Sequence, residues 1–140
     1  MSMTTYLETA LLNEIFRNTN YAPPATTYVA LFTADPTDAG STTNEITGNA
    51  YARARVYLDG ATAPYWTAPS SSAGVTSVQN NATVSFPVAT GAWGTITYMA
   101  IFDAASAGNC LFVGPLTASK VVGTNDQLTF PAGSLVINLD

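Results

Sequence analysis

What most constrains this chain is the way its apolar residues are parcelled out. After one amphipathic segment near the start, they come in short β-branched and aromatic runs, divided by Gly, Pro, Asn, Asp and Ser. Residues 27–33 (TYVALFT), 50–58, 84–86, 95–102, 111–116, 127–130 and 135–139 read as strands, with a weaker candidate at 75–78. Turn residues fill the gaps, notably at 103–109, 123–126 and 131–133. Pro87 and Pro115 each stand where a strand should close. Seven or eight short strands at a spacing of roughly 8–12 residues, with no second helix, predict a mainly β protein. The expected architecture is an antiparallel β-sandwich of jelly-roll or immunoglobulin-like type. A chain of 140 residues makes one such domain, with the helix over about 5–17 and the sandwich over about 26–140.

The helical segment is bounded by chemistry at both ends. Thr5-Tyr6-Leu7-Glu8 fits a capping box, and Asn18-Thr19-Asn20 followed by Pro23-Pro24 prevents continuation beyond Arg17. At 100° per residue Leu7, Leu11 and Ile15 form one stripe, Leu12 and Phe16 widen it, and Thr9, Asn13 and Arg17 lie opposite. An apolar arc of about half the circumference is wider than one flat contact needs. The expectation is that Tyr6, Leu7, Leu11, Leu12, Ile15 and Phe16 divide between the chain's own core and another subunit. In either case the helix must dock, because about a dozen residues are marginal as a free helix in water.

Two long loops, 34–49 and 59–73, are rich in Thr, Ser, Gly, Pro and Asn, and loops of this length in a small domain usually carry contacts of their own. The first holds Asp35, Asp38 and Glu45. Their spacing matches no calcium loop, and Asp35-Pro36 and Asp38-Ala39-Gly40 are sufficiently explained as turns, so no metal is assigned, and Asp35 and Asp38 are expected instead to lie in an interface that this loop makes with a neighbouring subunit. The second holds Tyr65-Trp66, which suits an interface anchor or a sugar-stacking platform. In 50–58, strict alternation places Tyr51, Arg53, Arg55 and Tyr57 on one face and Ala52, Ala54, Val56 and Leu58 on the other. Arg53 and Arg55 with their flanking rings then become a contact patch for an acidic neighbour. Trp93, after Gly91-Ala92, is expected to plug an end of the sandwich.

Composition narrows the chemistry. The chain has no His and a single Cys, so histidine-dependent catalysis, His-ligated metals and an intrachain disulfide are excluded. Cys110, in the run Asn109-Cys110-Leu111-Phe112-Val113, reads as a small buried hydrophobe. No carboxylate pair comes with substrate-positioning groups, so no cofactor and no enzymatic activity are expected. A net charge of −5 opposes nucleic acid and anionic membranes as partners. No apolar run reaches membrane-spanning length, and the first residues lack the basic region of a signal peptide. Only 9% of residues are charged, against about 25% in an average soluble protein. Thr, Ser and Ala fill the deficit, as suits a surface largely covered by neighbouring subunits.

A resemblance emerges from the order of short motifs. These are Tyr-Leu-x-x-Ala-Leu-Leu-Asn at 6–13, PPATTYVALFTADPTDAG at 23–40, Tyr-Ala-Arg at 51–53, Phe-Pro-Val-Ala-Thr at 86–90, Trp-Gly-Thr-Ile-Thr at 93–97, Ala-Ile-Phe-Asp-Ala-Ala at 100–105 and Pro-Ala-Gly-x-Leu-x-Ile-x-Leu at 131–139. In this order the chain resembles a family of small structural proteins of tailed bacteriophages, described as tail-fibre-like. The resemblance implies a virion component made in the host cytoplasm and brings no catalytic residues with it. The expectation is a homo-oligomer, taken as a trimer, that decorates the capsid as a cement protein and bridges copies of the major capsid protein. The alternative is a tail or tail-fibre-associated module that contacts tail proteins, with Tyr65 and Trp66 as a carbohydrate receptor platform.

Overall fold

The computed structural model describes residues 1–58 and 60–139; Asp59, which opens the second long loop, and Asp140, the end of the expected sandwich, lie outside them. The elements in chain order are β1 (Ser2–Met3), α1 (Thr5–Arg17), β2 (Thr26–Phe32), β3 (Ala54–Tyr57), β4 (Ser70–Ser72), β5 (Val75–Gln79), β6 (Val84–Ser85), β7 (Gly94–Phe102), β8 (Cys110–Val122), β9 (Thr129–Phe130) and β10 (Val136–Leu139). The protein is mainly β, as expected, and every strand pairing is antiparallel. A five-stranded sheet runs β1-β8-β7-β2-β3, a three-stranded sheet β10-β5-β4, and a two-stranded ribbon β6-β9.

Alternation along β2 organises the interior. Val29 and Leu31 point to one face of the large sheet and join Ile101, Val56, Val84, Phe86, Leu135 and Ile137 in the main core, which lies between the large sheet and the two smaller ones. Ala30 and Phe32 point the other way and cluster with Ala100, Phe102, Cys110 and Val113. This second, smaller core requires a cover, and the first long loop provides one. Its Gly40, at φ +64°, approaches the sheet so closely that a Cβ there would stand 2.4 Å from Cys110 Cβ, so no other residue fits. The loop is tied back by backbone bonds from Thr33 to Asn44 and from Ile46 to Leu31.

Trp93 is buried as expected. It meets Tyr51 edge-on at 5.4 Å and donates from Nε1 to the Asn49 carbonyl.

Four details differ from the sequence expectation. Thr4, not Thr5, caps α1: its Oγ1 accepts from Leu7 N–H and donates to the Cys110 carbonyl at 2.5 Å, so the cap also moors the helix to β8. The cap therefore stands one residue earlier, and Glu8 is not in the position that would reach back to it. β3 begins only at Ala54, and Arg53 and Ala54 are both buried, which breaks the alternation expected through 50–58. Pro115 does not close its strand. β8 passes through it, and the ladder with β7 jumps from Tyr98↔Pro115 to Ile96↔Lys120, so residues 116–119 bulge outward and the missing N–H costs no ladder bond there. Finally, the second long loop contains β4, an all-Ser strand joined to β5 through Ala73 and Gly74 at positive φ.

Candidate functional site

The helix docks by a narrow part of its apolar arc. Leu7 is buried and Leu11 packs partly against the main core. Leu12, Ile15 and Phe16 remain 57%, 68% and 76% exposed, and Tyr6 is 42% exposed. Leu12, Ile15 and Phe16 fall within a 100° sector of one another, a continuous apolar stripe over the last two turns. Asn18, in the left-handed region at φ 54°, ends the helix, and the Thr19 N–H closes it onto the Asn13 carbonyl. Glu14 then accepts from the Tyr21 N–H, which holds the exit segment against the helix.

The two arginines are separated. Arg53 turns inward: Nε and Nη2 donate to the Glu45 carboxylate at 2.7 Å each, and Nη1 donates to the Ala104 and Ala107 carbonyls at 2.9 and 2.8 Å. Its guanidinium lies 3.7 Å from the centre of the Phe102 ring. Tyr51 donates to the same carboxylate and accepts from Leu31 N–H; burial, first of all, raises its phenol well above the ordinary range. Arg53, Tyr51 and Glu45 are thus a buried clasp joining the 34–49 loop to the 103–109 turn over the second core, and Arg53 is not part of an outward patch. Arg55 alone is exposed. It donates to Tyr57 Oη at 3.2 Å and lies over the Tyr57 and Tyr28 rings at 4.9 and 5.7 Å.

Tyr65 and Trp66 do not form a free platform. Trp66 packs on the main core and donates from Nε1 to Thr27 Oγ1 at 2.8 Å, while Tyr65 bridges to Tyr57 and its N–H donates to Asn81 Oδ1. Both are half-buried, and Trp66 has its one polar atom already satisfied inside the chain.

The three acids of the first loop also part company. Glu45 belongs to the clasp. Asp35 accepts from Thr37 N–H at 2.7 Å in a local turn, and the Asp38 carbonyl accepts from Thr5 N–H at the start of the helix. Asp35 and Asp38 border a shallow hollow of about 370 Å³ with Met1, Tyr98 and Pro115. Among the described residues no three His, Cys, Asp or Glu side chains gather into a metal-binding group. Burial pushes the Cys110 thiol up to about 12, as suits a core residue beneath Gly40.

A cavity of about 540 Å³ lies where the sequence reading placed nothing. It runs between the bulged half of β8 and residues 126–131, over Met99, Leu116, Leu128 and Phe130, with Lys120 and Asp126 at its border. The one signal for it in the sequence is the polar interval Thr117-Ala118-Ser119-Lys120 between Leu116 and Val121, which breaks a run that otherwise reads as core.

A family model described as Podophage GP4 fiber I protein gp80 matches residues 2–138. The chain belongs to this fiber family. No curated protein matches it. Membership spans the helix, both long loops and all three sheets, so the exposed helix stripe and the β8 cavity are parts of the family's domain and not appendages to it. The fiber family gives the chain a tail-fibre-like, structural character. It favours the tail-fibre alternative over capsid decoration. No helix is long and apolar enough to cross a membrane among the described residues.

Proposed function

We propose that this protein is a structural subunit of a podophage tail fibre or of its attachment, working by assembly with copies of itself and with neighbouring tail proteins, without turnover of a substrate. The family match over residues 2–138 carries this reading. Two features support it. The low charge of the chain suits surfaces that become covered, since bringing charge into a contact costs desolvation. The stripe of Leu12, Ile15 and Phe16 is apolar area that its own fold leaves open, and a second copy is its natural cover.

The location is tested on purified particles. Quantitative mass spectrometry should find this chain at a few to a few dozen copies per virion, and immunogold labelling should decorate the tail. Hundreds of copies with label over the head would return the capsid-cement reading. A chain absent from particles would end both.

A further inference from the structure

Two apolar surfaces stand open on this chain, and they differ in shape. One is convex, the stripe of Leu12, Ile15 and Phe16 on α1. The other is concave, the cavity of about 540 Å³ beside β8, floored by Met99, Leu116, Leu128 and Phe130. No residue of α1 lines that cavity, so the stripe does not fill it within the chain. The rim decides what kind of segment can enter. Pro115 has no N–H to offer, the ladder slips between Tyr98↔Pro115 and Ile96↔Lys120, and Lys120 stands on the border, so this edge of β8 is blunted against a further strand. The cavity therefore calls for side chains and not for backbone. A helix meets that demand, because its own backbone groups are already bonded to one another.

We propose that α1 of one copy seats Leu12, Ile15 and Phe16 in the β8 cavity of a second copy, head to tail. The seating names the partner surface for the self-assembly proposed above and rests on it. Charge fixes the choice of occupant. Glu8 stands one turn before Leu12, and at 100° per residue it falls in the same sector as the stripe, while Arg17 lies on the opposite side. Glu8 and Lys120 are both exposed, and neither is in an ion pair among the described residues, where Arg53 and Glu45 form the only one. Seating the stripe beside Lys120 gives the Glu8 carboxylate a counter-charge at the rim. Packing stripe on stripe would set each Glu8 against the other copy's apolar side chains, with no cation in the sector. The cavity volume falls within the roughly 300–1,000 Å³ of sites that enclose a small molecule, enough for a few side chains. The contact is heterologous, since a copy gives one surface and receives with another, so copies join into a ring or a filament. The stripe carries the affinity, and the Glu8–Lys120 pair sets the register.

Complementation between two disabled variants of the full chain tests the contact. Replacing Leu12, Ile15 and Phe16 together by Ser removes the stripe. Ala118→Asp with Val121→Asp, at exposed positions lining the cavity, closes the groove. Each variant alone should melt within about 4 °C of the parent and sediment as a monomer where the parent assembles. An equimolar mixture should form a 1:1 heterodimer and stop there, since one intact stripe and one intact groove remain. No heterodimer in the mixture overturns the seating; if the groove variant still assembles alone, the contact is stripe on stripe and the self-assembly stands. A parent that stays monomeric overturns both, while the count in virions still judges the location. A charge swap gives a second reading: Lys120→Glu and Glu8→Lys should each weaken self-association about threefold, and the two together should restore it. Losses that add in the double variant overturn the register.

Discussion

At the level of single residues, the arginine that looks most like a binding group is the one most committed to the fold. Arg53 satisfies a carboxylate and two carbonyls at once, with side-chain exposures of 3% for Arg53 and 11% for Glu45. Arg53→Met would leave Glu45 buried without its counter-charge and two carbonyls without donors, so a loss of about 3–5 kcal/mol is expected in denaturant unfolding. Arg55→Met, at an exposed site, should shift stability by less than about 0.5 kcal/mol. Tyr51 adds a pH signature. Its phenol holds its proton above the ordinary value of 10.0, so above pH 10 the unfolded chain has released a proton that the native protein retains. With fewer protons bound in the unfolded state, stability falls as pH rises, by up to about 1.4 kcal/mol per pH unit for this group. Tyr51→Phe should be less stable at pH 7, having lost bonds to Glu45 and Leu31, yet decline less steeply between pH 10 and 11 when unfolding is followed by fluorescence. None of this was legible from alternation, which gave Tyr51, Arg53, Arg55 and Tyr57 one face. The period fails because residues 51–53 precede the strand, and a loop can turn consecutive side chains inward where a strand cannot.

At the level of elements, the sequence specifies α1 and most strands because each has its own signal: a capping Thr, an αL Asn, a β-branched run, a turn. The elements it missed lack that signal. β4 is three serines, held as a strand only by its hairpin with β5, and β1 is two residues on an open edge. Pro115 misled for a physical reason, since proline ends a strand only where its N–H would have been used. The helix tests how the apolar arc is divided. Leu7→Asp places a charge against the main core and should cost at least about 3 kcal/mol or prevent folding. Phe16→Asp lies on the open stripe and should leave the thermal midpoint within about 3 °C of the parent. Circular dichroism melts of the two variants check the division directly. If both variants melt alike, the helix buries a different face.

For the whole molecule, the proposed assembly raises the question of what force would bring copies together. With only 13 charged residues, and Arg53 and Glu45 already spent on one another, the surface has little with which to build ion pairs. It has the helix stripe instead, where covering Leu12, Ile15 and Phe16 removes apolar area from water at about 25 cal/mol per Å². The two forces respond oppositely to salt. Contacts between exposed charges weaken as the screening length shrinks from about 10 Å at 0.1 M to 3 Å at 1 M. Apolar contacts are indifferent to that screening and are strengthened by sulfate. Self-association measured by sedimentation velocity at micromolar protein should therefore persist or tighten from 0.05 to 1 M NaCl, and tighten further in 0.5 M sodium sulfate. Replacing Leu12, Ile15 and Phe16 together by Ser should give a folded monomer in every one of these buffers. Dissociation of the parent by salt, with the triple variant still assembling, would place the contact elsewhere, and the exposed Arg55 among its tyrosines would then be the first place to look.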